Sequence, residues 1–314
     1  MPPVTKAVIP AAGLGTRQYP ATSCVRKELF PLVDRDGYTK PAIHLAVEEA
    51  LAAGVEEVCL VCQPDAAGEF RRYFSAMPEQ WRARYEDKQW AQEWSARLRR
   101  MGERLAFVEQ PTQDGLGHAV WCARDWLGRE PFLVLLGDHV YVSRTGKSCA
   151  AQLIEAFSDA SVTALALIPE DQVHGFGLIR SRPADTDARL LRADGFVEKP
   201  PIDVARRECR AVGAPDGCYL GHFGMHVFTP GILDVLDEMV RADRRDNGEF
   251  QLTTAQDTLC GREPYFGLVI EGARFDIGTP LGLLEAQMAL ALAGDLRAES
   301  ERLWSLLSQE SEGA

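Results

Sequence analysis

Apolar runs of strand length alternate with helix-spaced segments through the first 140 residues, and this alternation constrains the fold more than any other feature of the chain. "KAVIPA" from Lys6, "EEVCLVCQ" from Glu56, "RLAFVEQ" from Arg104 and "PFLVLLGD" from Pro131 read as strands. "AIHLAVEEALAAG", ending at Gly54, and "LGHAVWCARDWLG", ending at Gly128, carry apolar residues at helical spacing. "PFLVLLGD" has no polar face before Asp138, as expected of a strand buried on both sides. Strand and helix in turn predict an α/β chain with a mainly parallel central sheet and helices on both faces. Ligands of such sheets sit beyond the carboxyl ends of the strands. Gly13, Gln110 and Asp138 are therefore expected along one rim.

The polar stretch from Ala66 to Met101, rich in Trp and Arg, is too long for a plain loop. It reads as one or two amphipathic helices inserted between strands, its aromatic residues packing the insert down. From Ser161 the pattern changes to strands joined by turns: "VTALALIP", "GFGLIRSR", "GFVEKP" and "YLGHFGMHVFTP". The helices "GILDVLDEMV" and "EFQLTTAQDTL" follow, then a turn, "FDIGTP", that leads into a last apolar helix. The final "SEGA" is expected to fray.

The net charge of −12 argues against broad binding to nucleic acid or anionic membranes, although a few local cations suffice for a phosphate. No apolar stretch is long enough to span a bilayer, and "MPPVTKAVIPAAG" lacks the layout of a signal peptide, so a cytoplasmic protein is expected. Cys59 and Cys62 form a C-x-x-C, but inside an apolar strand. A zinc or redox pair would need a turn between the thiols, so both are expected to pack in the core.

The string "AAGLGTRQYPATSCVRKELFPL" after the first strand poses the functional question. A dinucleotide-binding loop needs a third glycine and an immediate helix. Here Gly13 and Gly15 stand alone, Tyr19-Pro20 blocks a helix, and the acidic residue at the right distance, Asp34, lies in a turn. No Gly-Lys-Ser/Thr of a P-loop is present. What remains is a glycine pair that lets the backbone approach anionic oxygens, bracketed by the cations Arg17 and Lys27.

That string resembles the signature loop of the sugar-phosphate nucleotidyltransferases, and further matches follow in the family's order from about Lys6 to Leu292. The resemblance implies a Rossmann-like, three-layer nucleotidyltransferase fold of the GT-A-like kind. It implies that Ala12, Gly13, Gly15, Thr16, Arg17, Lys27 and Glu28 meet a nucleoside triphosphate, with Arg17 and Lys27 neutralising it. "EQPTQDGLGHAV" resembles the base-reading segment. There the amide of Gln110, donor and acceptor at once, would read a pyrimidine edge, and the backbone at Gly115 would close on the base. On spacing alone Gln110 could equally just end a strand. Asp138 in "LLGDHVY" and Asp276 in "FDIGTP" match the two aspartates that hold one Mg²⁺ in the family. Carboxylates in small number suit that ion, though Asp276 could also cap the following helix. "GFVEKP" resembles the sugar-side motif, with Glu198 taking sugar hydroxyls, Lys199 the sugar phosphate, and Gly177 giving backbone access to the ring. Many relatives carry Tyr before that glycine, where this chain has Phe176.

Within the family the chain is most similar to the uridylyl branch that acts on glucose 1-phosphate, by Lys27-Glu28, by the helical insert and by the carboxyl-terminal half. "QPTQDGLG" and "LLGDH" look more like the thymidylyl branch, and "PATSCVRKE" replaces the usual "PATKAIPKE". The resemblance implies Mg²⁺-dependent transfer of a nucleotidyl group, uridylyl from UTP in the first reading, to a sugar 1-phosphate with release of pyrophosphate. A thymidylyltransferase is the alternative within the family. A catalytically inactive binding paralogue and a nicotinamide-dependent oxidoreductase are the alternatives from other classes. One domain is expected over 1–292, with a nucleotide part to about 160 and a sugar-phosphate part from about 161. Residues 293–314 are expected as a helix able to join subunits into a homodimer or homotetramer.

Overall fold

The computed structural model describes residues 3–184, 188–210 and 214–311. Thirteen strands form among them: β1 Lys6–Ala11, β2 Pro31–Val33, β3 Thr39–Pro41, β4 Glu57–Cys62, β5 Leu105–Glu109, β6 Phe132–Leu135, β7 His139–Ser143, β8 Ser161–Pro169, β9 Leu178–Pro183, β10 Leu190–Val197, β11 Cys218–Phe228, β12 Tyr265–Val269 and β13 Gly272–Asp276. Nine of them make one sheet in the order β5-β4-β1-β6-β11-β8-β12-β10-β9.

The first four run parallel, as the alternation predicts. Beyond β6 the expectation of a mainly parallel sheet fails, and the sheet is mixed. β11 is antiparallel to both β6 and β8, and β10 is antiparallel to both β12 and β9, leaving β8–β12 as the parallel pair of this half. The reason is connectivity. Parallel neighbours need a long crossover, which the helices supply in the first half. β9 and β10 are consecutive in the chain and simply fold back on each other.

Helices cover both faces, as expected. On β1, Ala7, Ile9 and Ala11 pack with Ile43, Val47, Phe70 and Leu153, whereas Val8 packs with Val120, Ile232, Leu236 and Leu259 on the other side. The period of two also separates the C-x-x-C thiols. Cys62 faces the first cluster and Cys59 the second, so they cannot share a ligand. Burial pushes Cys59 up to about 12 and Cys62 up to about 11, as befits core residues.

The insert forms helices at Ala67–Tyr73, Glu79–Arg82 and Gln89–Gly102. Trp94 packs down as expected, under Lys40 and Arg97 at 5.2 and 4.8 Å, but Trp81 and Trp90 remain 44% and 49% exposed. Helix Arg297–Ser311 forms at the carboxyl end and takes in the first residue of the tail expected to fray, the rest of which lies outside the described residues. No helix among the described residues is long and apolar enough to cross a membrane.

One small element matters most for the site. β7 and β13 pair as an antiparallel ribbon, His139 opposite Asp276 and Tyr141 opposite Arg274. The Ile277 N–H then donates to the Asp138 carbonyl at 3.0 Å. Residues more than a hundred positions apart thereby share one rim.

Candidate active site

The chain leaves β1 at Ala11 and turns sharply. Gly15 has φ +66°, a left-handed conformation, and a Cβ there would lie 2.8 Å from Thr22 Cγ2. The Thr22 hydroxyl donates to the Gly15 carbonyl at 3.0 Å and closes the loop. Short 3-10 turns follow at Thr16–Gln18, Ala21–Ser23 and Lys27–Leu29, so no helix begins here, as Tyr19-Pro20 implied. Two glutamines brace the loop from outside. Gln63 Nε2 donates to the Ala12 carbonyl at 3.0 Å, while its Oε1 accepts from Arg26 at 3.0 Å. Gln18 Nε2 donates to the Ile277 carbonyl at 2.7 Å.

The charged residues meet at a second glycine. Lys27 Nζ lies 2.6 Å from Asp138 Oδ2, and Arg17 Nη1 lies 3.1 Å from Asp276 Oδ2. A Cβ on Gly278 would fall 2.8 Å from Arg17 Nη2, 2.8 Å from Asp276 Oδ1 and 3.3 Å from Asp138 Oδ2. Both carboxylates and one guanidinium therefore face a point kept clear by the absence of a side chain. Gly13 opens on the same cluster, its would-be Cβ 3.0 Å from Lys27 Nζ. Asp276 does not cap the following helix. Thr279 does, its hydroxyl accepting from the Gly282 N–H at 3.1 Å, and Asp276 instead accepts from the Gly278 N–H at 2.8 Å.

The electrostatics follow from burial and pairing. Burial, the largest influence, would push Asp138 up, but the charge and hydrogen bond of Lys27, together with His139 and a backbone hydrogen bond, hold it below the usual carboxylate range. Burial would pull Lys27 down, and the carboxylates of Asp138 and Glu28 reverse that. Glu28 is 2% exposed, and burial pushes it up to about 7. It lies beside Lys27 at 3.9 Å, beneath the loop. His139 is pulled down to about 4 by burial.

No group of three or more His, Cys, Asp or Glu able to hold a metal occurs among the described residues. Two carboxylates on a cleared point nevertheless fit Mg²⁺, which takes few protein ligands and fills its shell with water and phosphate oxygens. The donor set and the Gly278 gap are compatible with that ion.

Gln110 follows β5 directly and is buried. Its Nε2 donates to the Gly115 carbonyl at 3.1 Å and faces His118 Nδ1 at 3.2 Å. Gly115 has φ +101°, and a Cβ there would meet the Phe250 carbonyl oxygen at 2.9 Å. The sugar-side residues form another group. Lys199 has φ +41°, uncommon for a residue with a side chain, and its N–H donates to the Phe176 carbonyl at 3.1 Å. Its Nζ lies 3.2 Å from Glu198 Oε1. Gly177 accepts from the His222 N–H at 2.9 Å, and a Cβ there would lie 2.8 Å from His222 Nδ1.

The structure thus joins Gly13, Gly15, Arg17, Lys27, Asp138 and Asp276 in one cluster, Gln110 with Gly115, and Gly177 with Glu198 and Lys199. No hydrogen bond among the described residues links the latter two groups to the first. Sequence reasoning missed Gln18, Gln63, Gly278 and Arg274. Gly278 stood within "FDIGTP" and Gln18 within the loop string, but both glutamines act through carbonyls distant in sequence.

The family model described as nucleotidyl transferase matches residues 6–292. The chain is similar to the UTP–glucose-1-phosphate uridylyltransferase of Bacillus subtilis (strain 168), 34% identical over 300 residues that cover 93% of this chain and 92% of the relative. It is also similar to a solved UTP-bound UGPase from Acinetobacter baumannii, with TM-score 0.77, 29% identity and coverage of 96% and 98%. A UDP-glucose pyrophosphorylase solved with UDP-glucose gives TM-score 0.72, 28% identity and coverage of 91% and 98%.

Proposed function

The chain belongs to the nucleotidyl transferase family, and we propose that it transfers the uridylyl group of UTP to glucose 1-phosphate, giving UDP-glucose and pyrophosphate. The observation that carries this reading is the convergence of Arg17, Lys27, Asp138 and Asp276 on the Gly278 gap beside the glycine loop. Such a cluster suits a polyphosphate far better than a neutral ligand. The names of the relatives supply the nucleotide and the sugar.

A phosphate oxygen of glucose 1-phosphate attacks the α-phosphorus of UTP in line. The new P–O bond forms as the bond to the β-phosphate oxygen breaks, and pyrophosphate leaves with that electron pair. The nucleophile is already an anion, so no general base is required. Catalysis reduces to positioning and charge neutralisation. The loop backbone from Ala12 to Thr16 and Arg17 hold the β and γ phosphates. Lys27, steadied by Glu28 beneath it, neutralises the leaving pyrophosphate. Gln110 reads the pyrimidine and Gly115 closes on it. Glu198 accepts sugar hydroxyls, Lys199 aligns the attacking phosphate, and Gly177 admits the ring. Asp138 and Asp276 would hold Mg²⁺, which when bound supplies neutralisation of phosphate charge. Residues 1–160 carry the nucleotide in this division, and residues 161–292 the sugar phosphate.

All eight cysteines are unpaired, which agrees with a cytoplasmic setting. Leu281, Leu284, Met288 and Leu292 form an exposed stripe on helix Pro280–Ala293, and Leu303, Trp304, Leu306 and Leu307 are exposed on the next helix. Such contiguous apolar surface supports the homodimer or homotetramer reading. Light scattering on the purified protein tests it, and a monomer would overturn it.

The reaction is tested by pyrophosphate release with Mg²⁺ and glucose 1-phosphate against UTP, dTTP, ATP, CTP and GTP. Turnover with UTP supports the proposal. Preference for dTTP would favour the thymidylyl reading that "QPTQDGLG" suggests. No turnover with any nucleotide would sink both.

A further inference from the structure

Arg274 is a cation at the centre of this site with no carboxylate in ion-pair contact among the described residues. It lies on β13 two residues before Asp276, and so on the same face of the strand. Its guanidinium carbon sits 4.4 Å over the ring of Phe176, the residue before Gly177. Its guanidinium makes no hydrogen bond among the described residues, and the Nε is buried without a partner. Arg17, Lys27 and Lys199 each touch a carboxylate. Arg274 does not. Its charge reaches His139 on the Asp138 side and His222 on the Glu198 side. It borders a cavity of about 510 Å³ that Phe176, Asp276 and Thr279 also line.

A guanidinium offers five donors, and leaving a buried one unpaired is costly unless a ligand takes it. Stacking on Phe176 orients the plane but uses none of those donors. The ligand must be an anion that comes to the seam between the metal-type carboxylates and the sugar-side residues. Within the proposed function, on which this inference rests, one substrate group fits: the phosphate of the sugar 1-phosphate. We propose that Arg274 is a further substrate-binding residue, donating to that phosphate opposite Lys199, with Phe176 as the platform that aims it.

The test is steady-state kinetics of Arg274→Ala with Mg²⁺, varying UTP and glucose 1-phosphate separately. The KM for glucose 1-phosphate is expected to rise about ten- to a hundredfold, the loss of one charge-assisted hydrogen bond or two, with the KM for UTP within about twofold. Added guanidinium chloride, at concentrations below those that unfold the protein, should restore part of the loss. Unchanged constants, equal rises in both, or no rescue would overturn the proposal and leave Arg274 a brace for Phe176. If Arg274→Ala fails to fold, Arg274→Lys keeps the charge and stem but not the fork, and should show the same split at smaller size. A wild-type protein inactive with glucose 1-phosphate would instead refute the functional reading.

Discussion

The two halves of the site, proposed for the nucleotide and for the sugar phosphate, treat their charges in opposite ways. Around the glycine loop, each cation already holds a carboxylate, Lys27 on Asp138 at 2.6 Å and Arg17 on Asp276 at 3.1 Å. On the sugar side Lys199 reaches no further than its neighbour Glu198, and Arg274 meets only an aromatic ring. His222 and His226, their rings 5.2 Å apart, are kept neutral by burial. The first half is a closed set of charges that a substrate and a metal, bound as proposed, would have to rearrange. The second is an open set awaiting one anion. Backbone shape serves both halves, at Gly15 in the first and at the left-handed Lys199 in the second, and the long-range ion pairs of Lys27 and Arg17 add to it in the first.

The sharpest way to break this contrast is Asp138→Asn. Turnover should fall about a thousandfold, since one carboxylate of the metal pair is lost. Stability should also drop, because Lys27 is left without its nearest partner. Adding Lys27→Met should recover the melting temperature and not the activity. A fully active Asp138→Asn would end the metal assignment. Next comes Gly278→Ala, which places a methyl group 2.8 Å from both Arg17 and Asp276. The Mg²⁺ concentration needed for half-maximal rate should rise about tenfold or more, equivalent to about 1.4 kcal/mol. An unchanged Mg²⁺ requirement would mean that the cleared point is not where the ion sits.

Lys199→Ala probes the open half. Its KM for glucose 1-phosphate should rise about tenfold with little change for UTP. A change confined to UTP would reverse the assignment of the two halves. The smallest effect concerns acid. His222 is held at about 4 by burial, below its ordinary 6.5, and burial holds His226 well below 6.5 as well. Because protonation is harder in the folded state than in the unfolded one, stability is whole above pH 6.5 and is lost as pH falls toward 4. Hydrogen exchange should therefore show β9, β10 and β11 losing protection before β1 and β4 over that range. Equal loss in both would erase the difference.

Much of the first half was legible from sequence alone. The order of strands and helices, the glycine loop without a helix, the C-x-x-C in the core and the aspartate following β6 all depend on residues close in sequence. The insert was legible as helical, but not the exposure of Trp81 and Trp90, because an amphipathic pattern does not say how much of its apolar face finds a partner. The antiparallel strands of the second half misled the reading of the sheet. Strands after Ser161 gave no sign of where they would insert, and β11 settled between β6 and β8.

The sequence by itself determined which local conformations were available: Gly15 in a left-handed turn, Thr22 within reach to close it, alternate faces for Cys59 and Cys62. These are matters of backbone sterics and side-chain period, fixed within a few residues. Only the tertiary structure decided what those pieces face. The β7–β13 ribbon brings Asp276 to Asp138, Gln18 reaches Ile277, and Arg274 lies over Phe176 with its charge unpaired. Each of these joins residues about a hundred or more positions apart, and contacts at that range are set by how whole elements bury their apolar faces together, which no local stretch can specify.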